Sequence, residues 1–187
     1  HQVKPPLAAM RLLLRAPMGA SAPELEGELI QLERYVDMAL SFQRLDSEST
    51  DFVFVRQPLE PIVRGVVRKL ARLFTLKHLA LEMPPMTLVV LTDSKWLAFV
   101  LEQLLTNAIK YTPDGGKITL EVRGNVLSIT DTGIGIRPED LPRVCEKGFT
   151  GCNGRAEERS TGLGLYLCKR VTDKLGHPMH ITSPQGV

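Results

Sequence analysis

Glu102-Gln-Leu-Leu-Thr-Asn-Ala-Ile-Lys-Tyr111 sets two amides and an ammonium at helical spacing. Gln103, Asn107 and Lys110 fall four and three residues apart, so a helix puts them on one face. Leu101, Leu104, Leu105, Ala108 and Ile109 occupy the rest of the turn positions and supply packing. An ordinary solvated face also has this spacing. The composition is unusual for one, because an amide oxygen suits Mg²⁺ and an ammonium suits phosphate oxygens.

The surrounding pattern makes this stretch the end of a long helix. Asp93 or Thr92 is positioned to cap it, Trp96, Val100, Leu104 and Ile109 run along it, and Pro113-Asp-Gly-Gly116 ends it. Lys117 to Val122 and Val126 to Thr130 read as a β-hairpin around Gly124-Asn125. Upstream, Phe52 to Val55 is a strand candidate. Ile62, Val63, Val66, Val67, Leu70, Leu73 and Phe74 share one helix face. Leu79 to Met83 and Leu88 to Leu91 read as short strands around Pro84-Pro85. Thr161 to Leu175 reads as a helix and Met179 to Ser183 as a last strand. This order predicts an α+β fold, a mixed sheet with helices on one face.

Two glycine segments flank the irregular stretch 137–160. Asp131-Thr-Gly-Ile-Gly135 follows a strand, and its glycines permit close backbone approach to a ligand beside a carboxylate. Taken alone, it reads equally as a plain turn. It is not a dinucleotide fingerprint, since no third glycine follows in place. Thr161-Gly-Leu-Gly-Leu165 opens a helix, where free amides bind phosphate. Alone, it reads equally as a hinge.

The first 46 residues differ in character. Val3, Leu7, Met10 and Leu14 recur in a heptad-like stripe. Ser21 with Glu24 resembles a capping box ahead of Leu25, Leu29, Leu32, Val36, Ala39 and Phe42. The pattern predicts a helical hairpin that pairs with another hairpin. Asp46 to Asp51 is polar and reads as a linker, so the domains run 1–46 and 47–187.

The whole chain of 187 residues is 43% hydrophobic and carries 23 basic against 21 acidic residues, net charge +2. That is enough to bury a core. It gives no global field for nucleic acid, and none is expected as a partner. The longest apolar run, Trp96 to Leu101, falls far short of the roughly twenty residues of a membrane span. Cys145, Cys152 and Cys168 lie too far apart for a CxxC motif.

In order and spacing, the segments at 102–111, 131–135 and 161–165 resemble the N, G1 and G2 boxes of the GHKL (Bergerat) ATP-binding fold. Glu146-Lys-Gly-Phe149 resembles the F box of sensor histidine kinases, and His1-Gln-Val-Lys-Pro-Pro-Leu7 their H box. His1-Gln-Val-Lys4, Asp93-Ser-Lys-Trp-Leu97, Glu102-Gln103 and Glu146-Lys-Gly-Phe-Thr-Gly151 look most similar to the bacitracin-response, intramembrane-sensing kinases.

The resemblance implies a two-layer α/β sandwich preceded by a dimerisation and phosphotransfer hairpin, and ATP and Mg²⁺ as ligands. Asn107 would hold Mg²⁺, with Gln103 supporting the metal or its waters. Lys110 would contact phosphate and Tyr111 would line the adenine or ribose. Asp131 would accept from the adenine amino group, with Gly133, Gly135 and Ile136 forming that wall. Thr161, Gly162, Leu163, Gly164 and Leu165 would receive phosphate. Residues 137–161 would be a lid, with Lys147, Arg155 and Arg159 as candidate phosphate contacts. His1 would be the phosphoacceptor, followed by Gln2. Implied partners are a second copy through the hairpin, a response regulator receiver domain and, for the full-length parent, an ABC transporter. The implied location is the cytoplasmic portion of a bacterial plasma-membrane protein. The chain would be that parent's catalytic core, trimmed at both ends.

Two residues depart from the family pattern. Gln2 stands where an acidic residue is common, and it accepts a hydrogen bond but is no base at neutral pH. Pro5 stands where a Thr or Asn is linked to dephosphorylating the partner, which implies weak or absent phosphatase activity. Two alternatives keep the fold: an ATP-hydrolysing member, or a non-catalytic ATP-binding signalling module. Hydrolysing members use a glutamate one turn before the Asn. That position is Gln103 here, and Glu102 lies about 100° around the helix.

Overall fold

The computed structural model describes residues 52–151 and 162–183. The hairpin expected over 1–46, with His1, Gln2 and Pro5, falls outside the described residues, as do Cys152, Arg155, Arg159 and Thr161.

The elements follow in the order β1 (Val55–Pro58), α1 (Leu59–Leu76), β2 (Ala80–Glu82), β3 (Val89–Thr92), α2 (Ser94–Tyr111), β4 (Lys117–Arg123), β5 (Val126–Asp131) and α3 (Gly164–Leu175). A 3₁₀ turn, Leu141–Arg143, interrupts the irregular stretch after β5. β1 pairs antiparallel with β3. β4 pairs parallel with β2 and antiparallel with β5, which makes the second ladder mixed. The strands on either side of Pro84-Pro85 therefore pair elsewhere rather than with each other.

Each helix buries one stripe. On α1 the buried residues are Leu59, Val63, Val66, Leu70 and Phe74, at spacings of three and four, while Leu73 turns outward. α2 buries Trp96, Leu97, Val100, Leu101, Leu105, Ala108 and Ile109, and α3 buries Leu167, Cys168, Val171 and Leu175. These join Ile118 and Leu120 of β4 in one core. No described helix is long and apolar enough to cross a membrane.

Asp93 is the cap of α2. Its Oδ1 accepts from the amides of Lys95 at 2.9 Å and Trp96 at 3.1 Å. Its Oδ2 accepts from the Val53 amide at 2.9 Å. That bond, and stacking of Phe52 on Trp96 at 5.5 Å between centroids, hold 52–54 against the helix. The strand predicted from Phe52 therefore starts only at Val55.

Two other boundaries differ. Met179 to Ser183 forms no strand. Pro178 lacks an amide donor, the His177 amide is used by the Thr172 carbonyl, and the Ser183 hydroxyl accepts from the Ile136 amide at 2.9 Å. The segment thus meets the loop after β5 through a side chain rather than a ladder. Helix α3 starts at Gly164 rather than Thr161, because Gly162 has φ +64, a left-handed conformation that interrupts a helix. The Gly124-Asn125 turn forms as expected, with φ +60 at Gly124 and Arg123 opposite Val126.

Candidate functional site

The C-terminal half of α2 is the centre of the site. Gln103, Asn107, Lys110 and Tyr111 are all half-buried on it. No hydrogen bond to another described residue holds the Gln103 or Asn107 side chain. Lys110 Nζ stands 4.9 Å over the Tyr111 ring, a cation–π contact that keeps the two together.

The loop after β5 is tied to the end of this helix. The Ile134 amide donates to the Tyr111 carbonyl at 3.1 Å. A Cβ on Gly133 would sit 2.7 Å from that same oxygen, so only glycine lets the loop approach so closely. Asp131 is exposed and its Oδ1 accepts from the Gly133 amide at 2.9 Å. The second carboxylate oxygen, on an exposed residue, has the chemistry to accept from an amino group. Gly135 has φ +68 and Ile136 is half-buried, so the wall from 131 to 136 stands against Tyr111.

The start of α3 also reaches α2. A Cβ on Gly164 would lie 3.4 Å from Gln103 Oε1. The residue before the helix, Leu163, offers no side-chain cap, and Gly164 and Leu165 present their amides in the first turn of α3. With the helix dipole, such amides suit an anion. Sulfur to carbonyl contact between Cys168 and Val100, 3.8 Å, holds the two helices side by side.

Gly148 and Gly162 form a contact that the sequence reading missed. The Gly148 amide donates to the Gly162 carbonyl at 2.9 Å, and a Cβ on Gly162 would lie 2.7 Å from the Gly148 oxygen. Both have positive φ. Two glycines bracketing a charged segment were the only available signal. Phe149 lies under the Arg143 guanidinium at 4.6 Å, and Arg143 also pairs with Glu146 at 3.1 Å. Lys147 is exposed.

Glu102 points away from this site. It pairs with Lys69 of α1 at 2.8 Å. A shallow cleft of about 610 Å³, lined by Pro58, Pro61, Arg64 and Met86 among others, contains none of the residues singled out.

The family described as "Histidine kinase-, DNA gyrase B-, and HSP90-like ATPase" matches residues 92–187, just over half of the chain and all of the segments above from α2 onward. The chain belongs to this ATPase family. Within it, the chain is 34% identical to the sensor histidine kinase YxdK of Bacillus subtilis over 196 aligned residues, covering 100% of the chain and 59% of YxdK. It is also 34% identical to the sensor protein BceS of Halalkalibacterium halodurans, covering 100% of the chain and 57% of BceS. The chain thus spans rather more than half the length of the curated relatives it matches. Among solved structures, the mycobacterial sensor histidine kinase MprB superposes with a TM-score of 0.58 at 26% identity, covering 66% of this chain and 81% of that one. The ATPase fold is the two-layer α+β arrangement expected from the sequence.

Proposed function

We propose that the chain is the catalytic core of a sensor histidine kinase, which binds Mg-ATP on α2, phosphorylates His1 and passes the phosphoryl group to an aspartate of a response regulator. The observation that carries this reading is the convergence on one helix of the 131–136 loop, tied to Tyr111, and of the start of α3, whose Gly164 stands against Gln103. The sensor-kinase relatives support it.

The donor set fits the ligands. Asn107 and Gln103 are half-buried amides suited to Mg²⁺ and its waters. When bound, Mg²⁺ would neutralise phosphate charge. Lys110 and the amides of Gly164 and Leu165 would hold phosphate, with Gly162, Leu163 and Thr161 shaping that entry and Lys147 reaching in from the lid. Asp131 would accept from the adenine amino group, with Tyr111, Gly133, Gly135 and Ile136 as its wall. A His1 ring nitrogen would attack the γ-phosphorus. An N–P bond forms, the bond to the β-phosphate oxygen breaks and ADP leaves. The ring proton goes to water, because Gln2 cannot take it. Most of the barrier is lowered by positioning and charge stabilisation.

The assignment of 1–46 to dimerisation and phosphotransfer and of 47–187 to catalysis belongs to the same reading. So do homodimerisation, a bacterial plasma-membrane parent whose cytoplasmic part this is, and an ABC transporter partner of that parent. Simple ATP hydrolysis is disfavoured by Gln103, and by the engagement of Glu102 with Lys69. A purely ATP-binding module would bind nucleotide without labelling His1. Calorimetric titration with ATP, with and without Mg²⁺, tests the binding step. Micromolar affinity that falls at least tenfold in EDTA or in Asn107→Ala is expected. Equal affinity with and without metal contradicts the metal assignment.

A further inference from the structure

The last turn of α2 ends in carbonyls that the helix itself cannot satisfy. The Ala108 carbonyl takes the Thr112 amide at 3.0 Å and the Thr112 hydroxyl at 2.6 Å. The Tyr111 carbonyl takes the Ile134 amide. Those of Ile109, Lys110 and Thr112 remain, and one side chain takes all three. Lys77 Nζ donates to Ile109 O at 2.9 Å, Lys110 O at 3.1 Å and Thr112 O at 2.6 Å. An ammonium has three donors, so the match is complete.

Lys77 is itself the residue that closes α1, and its own carbonyl accepts from the Gly115 amide at 2.9 Å. It is therefore fixed by the end of one helix and by the 113–116 turn while it caps another. Its half-buried charge sits at the negative end of the α2 dipole. That end carries Lys110 and Tyr111. Without the ammonium, three carbonyls lose their donor beside a site meant for a polyanion.

We infer that Lys77 is a positioning residue for the nucleotide site: it locks the end of α2, and through the Tyr111 carbonyl it holds the 131–136 wall in place. The inference rests on the ATP-binding reading for its functional consequence. Its structural part stands on the three bonds alone. Lys77 is 32 to 35 positions from its partners, and no sequence pattern marks it.

The test uses Lys77→Met and Lys77→Arg in the full 187-residue chain, at a temperature where circular dichroism shows both folded. Amide hydrogen exchange is followed without nucleotide, and Mg-ATP affinity by calorimetry. Lys77→Met is expected to speed exchange at Ile134 at least tenfold while Ile118 and Leu120 of β4 keep the wild-type rate. Affinity is expected to fall about tenfold, the scale of one lost charge-assisted bond. Lys77→Arg, which keeps the charge but not the ammonium's three convergent donors, should fall between wild type and Lys77→Met in both readouts. Should Lys77→Met fail to fold, Lys77→Gln, which keeps neutral donors, is read by the same two criteria. A variant that slows or speeds every amide equally, or that leaves Ile134 exchange and affinity unchanged, overturns the inference. Absence of Mg-ATP binding by the wild-type chain would sink the ATP reading, while Ile134 exchange would still decide the role of Lys77.

Discussion

Gly162 rests on the backbone of Gly148: its carbonyl accepts the Gly148 amide at 2.9 Å, and a Cβ on Gly162 would come within 2.7 Å of the Gly148 oxygen. The entry to α3 is therefore fixed by a contact that only glycine permits. Gly162→Ala adds this clash to the left-handed φ of +64. It should cost about 2 kcal/mol or more in chemical denaturation and weaken Mg-ATP binding at least tenfold. Gly164→Ala, 3.4 Å from Gln103 Oε1, should leave stability within about 1 kcal/mol and still weaken binding. Unchanged affinity in both variants would remove α3 from the phosphate site.

Asp131→Asn separates turn from recognition. The Asn carbonyl can still accept from the Gly133 amide, so the loop should keep its form and the melting temperature should move little. The second acceptor becomes a donor, which mismatches an adenine amino group. Affinity for ATP should fall roughly tenfold to a hundredfold, while affinity for inosine triphosphate changes less. Parallel losses for both nucleotides would contradict a direct contact.

Asp93→Ala removes a cap that serves three amides, those of Val53, Lys95 and Trp96. A loss of about 1–2 kcal/mol in urea unfolding is expected, with 52–54 released from the helix start.

Cys168 should make stability fall at alkaline pH. Burial pushes its thiol well above the ordinary range, with a smaller contribution from neighbouring Cys145. The folded state then keeps a proton that the unfolded chain gives up above roughly pH 8.5. Stability from this group is full below that pH and is lost as pH rises. Cys168→Ala should flatten the alkaline limb of a stability–pH curve, and Cys168 should resist alkylation until the chain unfolds.

What the sequence made legible were features whose cause is local. The α2 face, the Asp93 cap and the Gly124-Asn125 hairpin follow from spacing and turn chemistry within a few residues. The order of boxes pointed to the family. What it could not give depends on residues far apart in the chain. The Val53 amide is claimed by Asp93 forty positions on, so β1 starts late. Ser183 binds the Ile136 amide, and a strand that the apolar pattern suggested does not form. Lys77 and the Gly148–Gly162 contact are equally non-local, one at the end of α2 and the other at the entry to α3.

In the proposed reaction His1 receives the γ-phosphoryl group. Incubation of the chain with γ-labelled ATP and Mg²⁺ measures it directly. Label on the protein that is acid-labile and alkali-stable, absent from His1→Gln, and transferable to a receiver domain is expected. Phosphate released without labelled protein, or label that persists in His1→Gln, would contradict it.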